Sequence, residues 1–401
     1  MGGTHAHRDG HAEVDVDPLP KRILLGLLAV AAVLTVVGLV ALRPDGAKVD
    51  MLADDISFSA PGVTFPKAEV LTVEEACPTA STPTDTCGQV TARVSEGEGS
   101  GTEVSLNVPP EVLSSDLAPG DTVKLIRTPP QAGKDVSFGY FGTVRTAPVG
   151  LMLGLFVVVV LLVARLRGLM ALVGLAFSAG VIIWFMLPAL LSGRSGVLVG
   201  VVGAAAIMFV VLYTTHGWSL RTSAALGGTL AGIGLTGLIG ALAVGGTRLT
   251  GVADEGGRVL GTFADDLSFP GLLTCAIIVA GLGVLNDVTI TQASSVWEIR
   301  AAAPDLSRRE VFASGMRIGR DHIASTIYTI VFAYAGTALT ILLVLSLYDR
   351  PFLDLLATEE IGQEVVRTLA TSIGLVLAVP LTTAIAVATL PPGRDTHHLR
   401  D

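Results

Sequence analysis

The sequence is short of charge. Only 15% of its 401 residues are Asp, Glu, Lys or Arg, against about a quarter in an ordinary soluble domain. The shortfall is uneven, with uncharged stretches long enough to cross a bilayer, which separates a membrane-embedded chain from a merely greasy soluble one. Positive charge is the scarcer sign, 26 Lys and Arg against 35 Asp and Glu for a net charge of -9. No clustered basic face is present of the kind nucleic acid requires, so nucleic acid is excluded as a partner. Cysteine is nearly absent: Cys77 and Cys87 lie in a polar stretch, and Cys275 lies in an apolar one, where it reads as packing. The chain also lacks Gly-x-Ser-x-Gly, His-Glu-x-x-His and any phosphate-binding loop, so no enzyme activity and no cofactor are expected.

What the sequence does have is apolar runs. About eight are long enough to be transmembrane helices: residues 23–42, 149–164, 169–190, 197–213, 222–244, 269–290, 323–347 and 365–390. The expected fold is an α-helical polytopic membrane protein with a small extracytoplasmic β domain, OB-like, between helices 1 and 2. Its parts are a polar tail (1–20), the first membrane helix (21–43), the outer domain (44–146), a seven-helix core (147–392) and a short tail (393–401). The first run reads as a retained helix, with signal cleavage as the alternative.

Lys and Arg of short loops favour the cytoplasmic side. With the N-terminus inside, thirteen fall there: Arg8, Lys21, Arg22, Arg165, Arg167, Arg221, Arg300, Arg308, Arg309, Arg317, Arg320, Arg394 and Arg400. Four fall in the short outer loops, Arg194, Arg248, Arg258 and Arg350, among acids such as Asp254, Asp266 and Glu359. The expectation is a cell-membrane protein with both termini cytoplasmic and residues 44–146 outside. In that oxidising compartment Cys77 and Cys87 are expected to pair and tie down the loop CPTASTPTDTC; two free thiols are the alternative. Alternating stretches at Glu69–Val73, Gln89–Val94, Glu103–Val108 and Thr122–Arg127, divided by Gly, Pro, Asp and Ser turns, predict the strands. A small barrel would protect their edges.

Three intramembrane features stand out. The fifth run, GGTLAGIGLTGLIGALAVGG, is dense in glycine, which suits close packing of helices or a moving helix beside a pore. In VLNDVTITQ (284–292), Asn286 and Asp287 interrupt the sixth run near its end. Asp287 and Thr291 share a helix face and could offer oxygen atoms together, and Gln292 follows. A carboxylate in or near hydrocarbon is costly unless paired, hydrated or bound to a cation; the alternative is an interfacial residue capping a loop. In MRIGRDHIAST (316–326), Asp321 is placed to cap the seventh helix. His322 is suited to a metal or a proton, and Arg317 and Arg320 to pairing with Asp287 or Asp321. Both segments fall on one side of the membrane, as an inner vestibule would require. His5, His7 and His11 of the tail form at most a weak divalent-cation collector, since no cysteine joins them; a plain polar tail is the alternative.

On VLNDVTITQASSVWE at 284–298, GRDHIAST at 319–326 and AYAG at 333–336, the chain resembles the YibE/F family of bacterial multi-pass membrane proteins, over about residues 60–390. The resemblance implies a short N-terminal anchor, an outer domain and a helical core, and little about activity. The segment YFGTVR (140–145) lacks the acid of a Tyr–Asp–Arg-like pattern associated with the family, so no role is carried over for it. The favoured expectation is a transporter or channel for an ion or small solute. The alternatives are a membrane scaffold or sensor whose outer domain binds a protein partner, and an intramembrane enzyme built on Asp287 and Asp321.

Overall fold

The computed structural model describes residues 18–55, 59–74, 88–130, 135–264, 266–347 and 351–391. The chain divides into two compact units, Ile56–Arg165 and the remainder, Met1–Asp55 with Leu166–Asp401. Cys77, Cys87, His5, His7 and His11 lie outside the described residues.

The smaller unit holds five strands: β1 (Lys67–Val73), β2 (Gln89–Val94), β3 (Glu103–Asn107), β4 (Thr122–Thr128) and β5 (Ser137–Thr143). They form one antiparallel sheet in the order β3-β2-β1-β4-β5, and the two edge strands come back against each other, so the sheet is nearly closed. Alternation along β1 and β2 buries Ala68, Val70, Val90, Ala92 and Val94 on one face, where Leu106, Val123 and Leu125 complete the core. A bulge between Val70 and Thr72 shifts the register and bends β1. One short helix, α3 (Pro110–Leu113), joins β3 to β4. The strand β5 adds to the four read from the sequence; with Gly139 and Gly142 inside it, its alternation is weak.

The larger unit is helical. It contains α1 (Pro18–Ala41), α2 (Gly46–Asp55), α6 (Gly196–His216), α7 (Leu220–Thr247), α8 (Glu255–Phe263), α9 (Phe269–Ala302), α10 (Arg308–Thr337), α11 (Leu339–Ser346), α12 (Phe352–Leu356) and α13 (Glu359–Ala388). Helix α4 (Thr146–Val181) runs from one unit to the other and is interrupted at Arg165, whose φ of 52° and ψ of -129° are not helical. A π-helical turn at Ile182–Met186 joins it to α5 (Leu187–Leu191).

Among the described residues six helical stretches are long and apolar enough to cross a membrane: α1, the 46-residue stretch Thr146–Leu191, α6, α7, α9 and α13. The pair α10 and α11, bent by 65°, makes a seventh if it counts as one span. The count read from the sequence was about eight.

Helices α7, α9 and α13 form the centre, with α6 and α10 around them and α1 against α6 and α7. Lipid tails are as apolar as these side chains, so close packing rather than the hydrophobic effect must hold such helices together. Small residues make it close. A Cβ at Gly228 of α7 would run into Thr382 of α13, and one at Gly374 of α13 would run into Thr236 of α7. Thr229 and Thr289, both fully buried, are bonded across α7 and α9 at 2.6 Å. The glycine-rich run is thus largely a packing surface, although Gly234 meets nothing within 4 Å.

The two ends of this unit differ. At one, Asp45 donates its N–H to Ser192 (2.9 Å), Lys48 pairs with Asp266, and Glu359 accepts from the Thr250 and Gly251 N–H groups at 2.8 and 3.0 Å. Lys48 holds the exposed Asp266 carboxyl below the usual carboxylate range, through its hydrogen bond first and its charge second. At the other, Tyr213 stacks on Trp218 (4.0 Å), Arg221 faces Glu298 (3.9 Å), and buried Arg300 closes the turn from α9 to α10 by donating to the Pro304 and Leu306 carbonyls at 2.9 and 2.6 Å.

Two boundaries differ from the sequence reading. The sixth run does not stop near Ile290: α9 continues to Ala302. The seventh helix does not begin at Ile323 with Asp321 as its cap. It begins at Arg308, capped by Ser307, whose hydroxyl accepts from the Glu310 N–H while the Glu310 carboxylate accepts from the Ser307 N–H. The two extensions have different causes: charged residues leave α9 intact where it has neighbours to pack on, and in α10 a capping box outranks a later Asp as a start signal.

Candidate functional site

The residues singled out in the sequence lie on α9 and α10, which run side by side with α13 behind them. By helical rise, Asp287 stands roughly 24 Å along α9 from Gly271. Gly271 itself is packed against Gly196, the first residue of α6. Since α6 ends at His216, Asp287 lies about one turn short of that end.

Asp287 and His322 come together. The His322 Nε2 is 3.8 Å from the Asp287 Oδ2, with the carboxylate side chain 71% exposed and the imidazole 29%. This is a charge contact rather than a hydrogen bond, and it attracts only when the imidazole is protonated. The His322 Nε2 is itself buried and has no hydrogen-bond partner, and neither has the buried Oδ1 of Asn286. Buried polar atoms are nearly always satisfied, so each of these two is an exception to the usual pattern.

Gln292 does something different. It is 2% exposed and lies where α9, α10 and α13 meet. Its amide donates to the Gly315 carbonyl at 2.9 Å and to the Thr383 hydroxyl at 2.8 Å. Thr383 passes its own proton to the Val379 carbonyl (2.7 Å), within a turn of α13. Gly319 makes this junction possible: a Cβ there would sit 2.7 Å from the Val379 Cγ1 and 3.0 Å from the Gln292 Oε1. Gly319 lies inside α10, so its part is this close approach between helices and not a turn.

The other candidates stay at the rim. Thr291 is half-buried, and its carbonyl accepts from the Ser295 hydroxyl (2.9 Å). Arg317, Arg320 and Asp321 are exposed on α10. The Arg317 guanidinium donates to Ser314 (2.8 Å) rather than pairing with Asp287 or Asp321. Among the described residues no three His, Cys, Asp or Glu side chains gather as metal ligands.

The sequence reading passed over a second polar group, on the half of α13 nearer Glu359. Arg367 donates to Glu364 (3.0 Å), both about three-quarters buried, and the guanidinium lies 6.0 Å from the centre of the Tyr334 ring. The signal was available: Glu364 and Arg367 are three apart, one helix face, at the start of the last apolar run.

Membrane-length helices packed through glycine and threonine, with a β domain between the first two spans, define a multi-pass integral membrane protein with an extracytoplasmic β domain. The YibE/F-like protein family model matches residues 152–392, which cover the span-bearing core and both segments just described. The chain belongs to that family. No curated protein and no solved structure matches it.

Proposed function

We propose that this protein moves a proton or small cation across the membrane, with Asp287 and His322 as the coupling site. The observation that carries the reading is the 3.8 Å contact between them, in which the His322 Nε2 is buried and has no hydrogen-bond partner. A carboxylate on a spanning helix is functional by default, and an imidazole is the side chain whose ordinary titration falls near neutral pH. Protonated His322 would hold the Asp287 carboxylate. A cation arriving at Asp287 would compete with that contact. Gln292 would keep α9, α10 and α13 in register while the exchange takes place.

The reading includes eight crossings. Thr146–Leu191 is 46 residues, roughly 69 Å of helix against a hydrocarbon core of about 30 Å. A break at Arg165 divides it into two spans. Those two, the other five apolar helices and the bent pair α10 and α11 make eight. The end bearing Lys21, Arg22, Arg221, Arg308 and Arg309 faces the cytoplasm on the distribution of positive charge. The β domain is OB-like: its strand order, its bulged first strand and the short helix between β3 and β4 support a five-stranded Greek-key barrel.

Transport itself is tested with purified protein in proteoliposomes, following proton and divalent-cation flux under an imposed gradient. Flux above that of protein-free vesicles is expected. No gradient-dependent flux across a broad set of ions and small solutes would sink the reading.

A further inference from the structure

At the basic end of the helical unit, a groove with a volume of about 500 Å³ runs between α1, α7, α10 and α13. Its walls are Leu19, Ile23 and Leu27 of α1, Leu230 of α7 and Ile385 of α13, and its one charged wall is Arg308. We propose that this groove binds an anionic phospholipid, the phosphate on Arg308 and an acyl chain along α1.

The arginine is set up for it. Its Nη2 donates to the Leu390 carbonyl at 2.7 Å, which fixes the guanidinium between α10 and α13. Its Nε is buried with no hydrogen-bond partner. Among the described residues no carboxylate pairs with it: the neighbouring Glu310 is engaged with Ser307. A guanidinium presents donors in a planar fork that matches two phosphate oxygens, and a buried unused donor is costly until such a partner arrives. The other polar wall, Thr389, has spent its proton on the Ala386 carbonyl (2.7 Å), so it does not compete.

Length and field agree with a lipid. From Leu19 to Ala31 the α1 wall rises roughly 18 Å, close to the depth of one leaflet in a core of about 30 Å. Lys21 and Arg22, exposed on α1, and Arg309, exposed on α10, stand at the same end. A basic pocket between membrane helices with apolar walls below it suits an anionic headgroup. A zwitterionic lipid would bring its own cation up to these charges, and inorganic phosphate would leave the apolar walls unfilled.

The test uses full-length protein in detergent, with phosphatidylglycerol and phosphatidylcholine of the same chains, and inorganic phosphate as a third arm. Thermal unfolding and native mass spectrometry are the readouts. Phosphatidylglycerol should raise the unfolding temperature and remain bound, whereas phosphatidylcholine and phosphate should do neither. Arg308→Gln should weaken retention by roughly five- to tenfold, Arg308→Lys should restore part of it, and Arg309→Gln should have a smaller effect. Should Arg308→Gln fail to fold, Gly227→Leu obstructs the groove with the arginine in place and should also release the lipid. Equal retention of both lipids, undiminished retention in Arg308→Gln and Gly227→Leu, or equal stabilisation by phosphate alone would overturn the proposal.

Discussion

The Gln292 amide lies 2.8 Å from the Thr383 hydroxyl and joins α9 to α13 while its second proton bonds the Gly315 carbonyl of α10. Three helices therefore share one side chain. Side-chain hydrogen bonds within membranes are worth about 0.6 kcal/mol each on average, with a maximum near 1.7. Gln292→Leu keeps the volume and removes both bonds. It should destabilise the protein by roughly 1–2 kcal/mol, read by denaturant titration in mixed micelles. Unchanged stability would mean the junction is held by packing alone.

Glycine on α7 serves position by position. Gly228→Ala must push against Thr382, an overlap that should cost roughly 1–3 kcal/mol. Gly234→Ala, on the same helix with nothing within 4 Å of the new methyl, should be neutral or stabilising by up to about 1 kcal/mol through helix propensity. The same titration compares them, and equal losses would refute the packing assignment.

The contact of Lys48 with Asp266 fixes a sign for pH dependence. The folded carboxyl is held below its unfolded value. Its contribution is therefore complete above the ordinary carboxylate range and is lost as pH falls through the lowered value. Asp266→Asn should remove this part of the acid response of α2, measured by hydrogen exchange at α2, and should change nothing in the spanning helices.

Orientation is checked by single cysteines on a background lacking Cys77, Cys87 and Cys275. An impermeant thiol reagent on intact cells should label Asp254→Cys and spare Arg309→Cys until the membrane is opened. The reverse pattern would invert the topology.

Much of this architecture was legible in the sequence because spanning helices and alternating strands write simple periods. The apolar runs, the glycine-rich packing helix and most of the β domain could be read directly. The end of α9 could not, because Asp287 looks like a terminator until its neighbouring helices are known; the start of α10 was legible in the spacing of Ser307 and Glu310, and Asp321 drew attention away from it. The pairing of Asp287 with His322 was half legible. Each residue is conspicuous alone, but their 3.8 Å contact depends on how α9 and α10 are aligned, and local spacing carries no information about that. Glu364 and Arg367 show their shared face in their spacing, but near the start of a helix a charged pair reads as an ordinary solvated turn, and their burial is not legible.

The measurement that bears most directly on the proposed coupling site is flux through native protein, Asp287→Asn and His322→Gln, reconstituted at matched folded amounts. Asn keeps the size of Asp287 and removes its charge; Gln keeps a polar group at 322 and removes the imidazole. Asp287→Asn should abolish gradient-driven flux, and His322→Gln should reduce it strongly. Native flux that persists unchanged in both variants would contradict the proposed coupling and leave the contact between α9 and α10 a structural one.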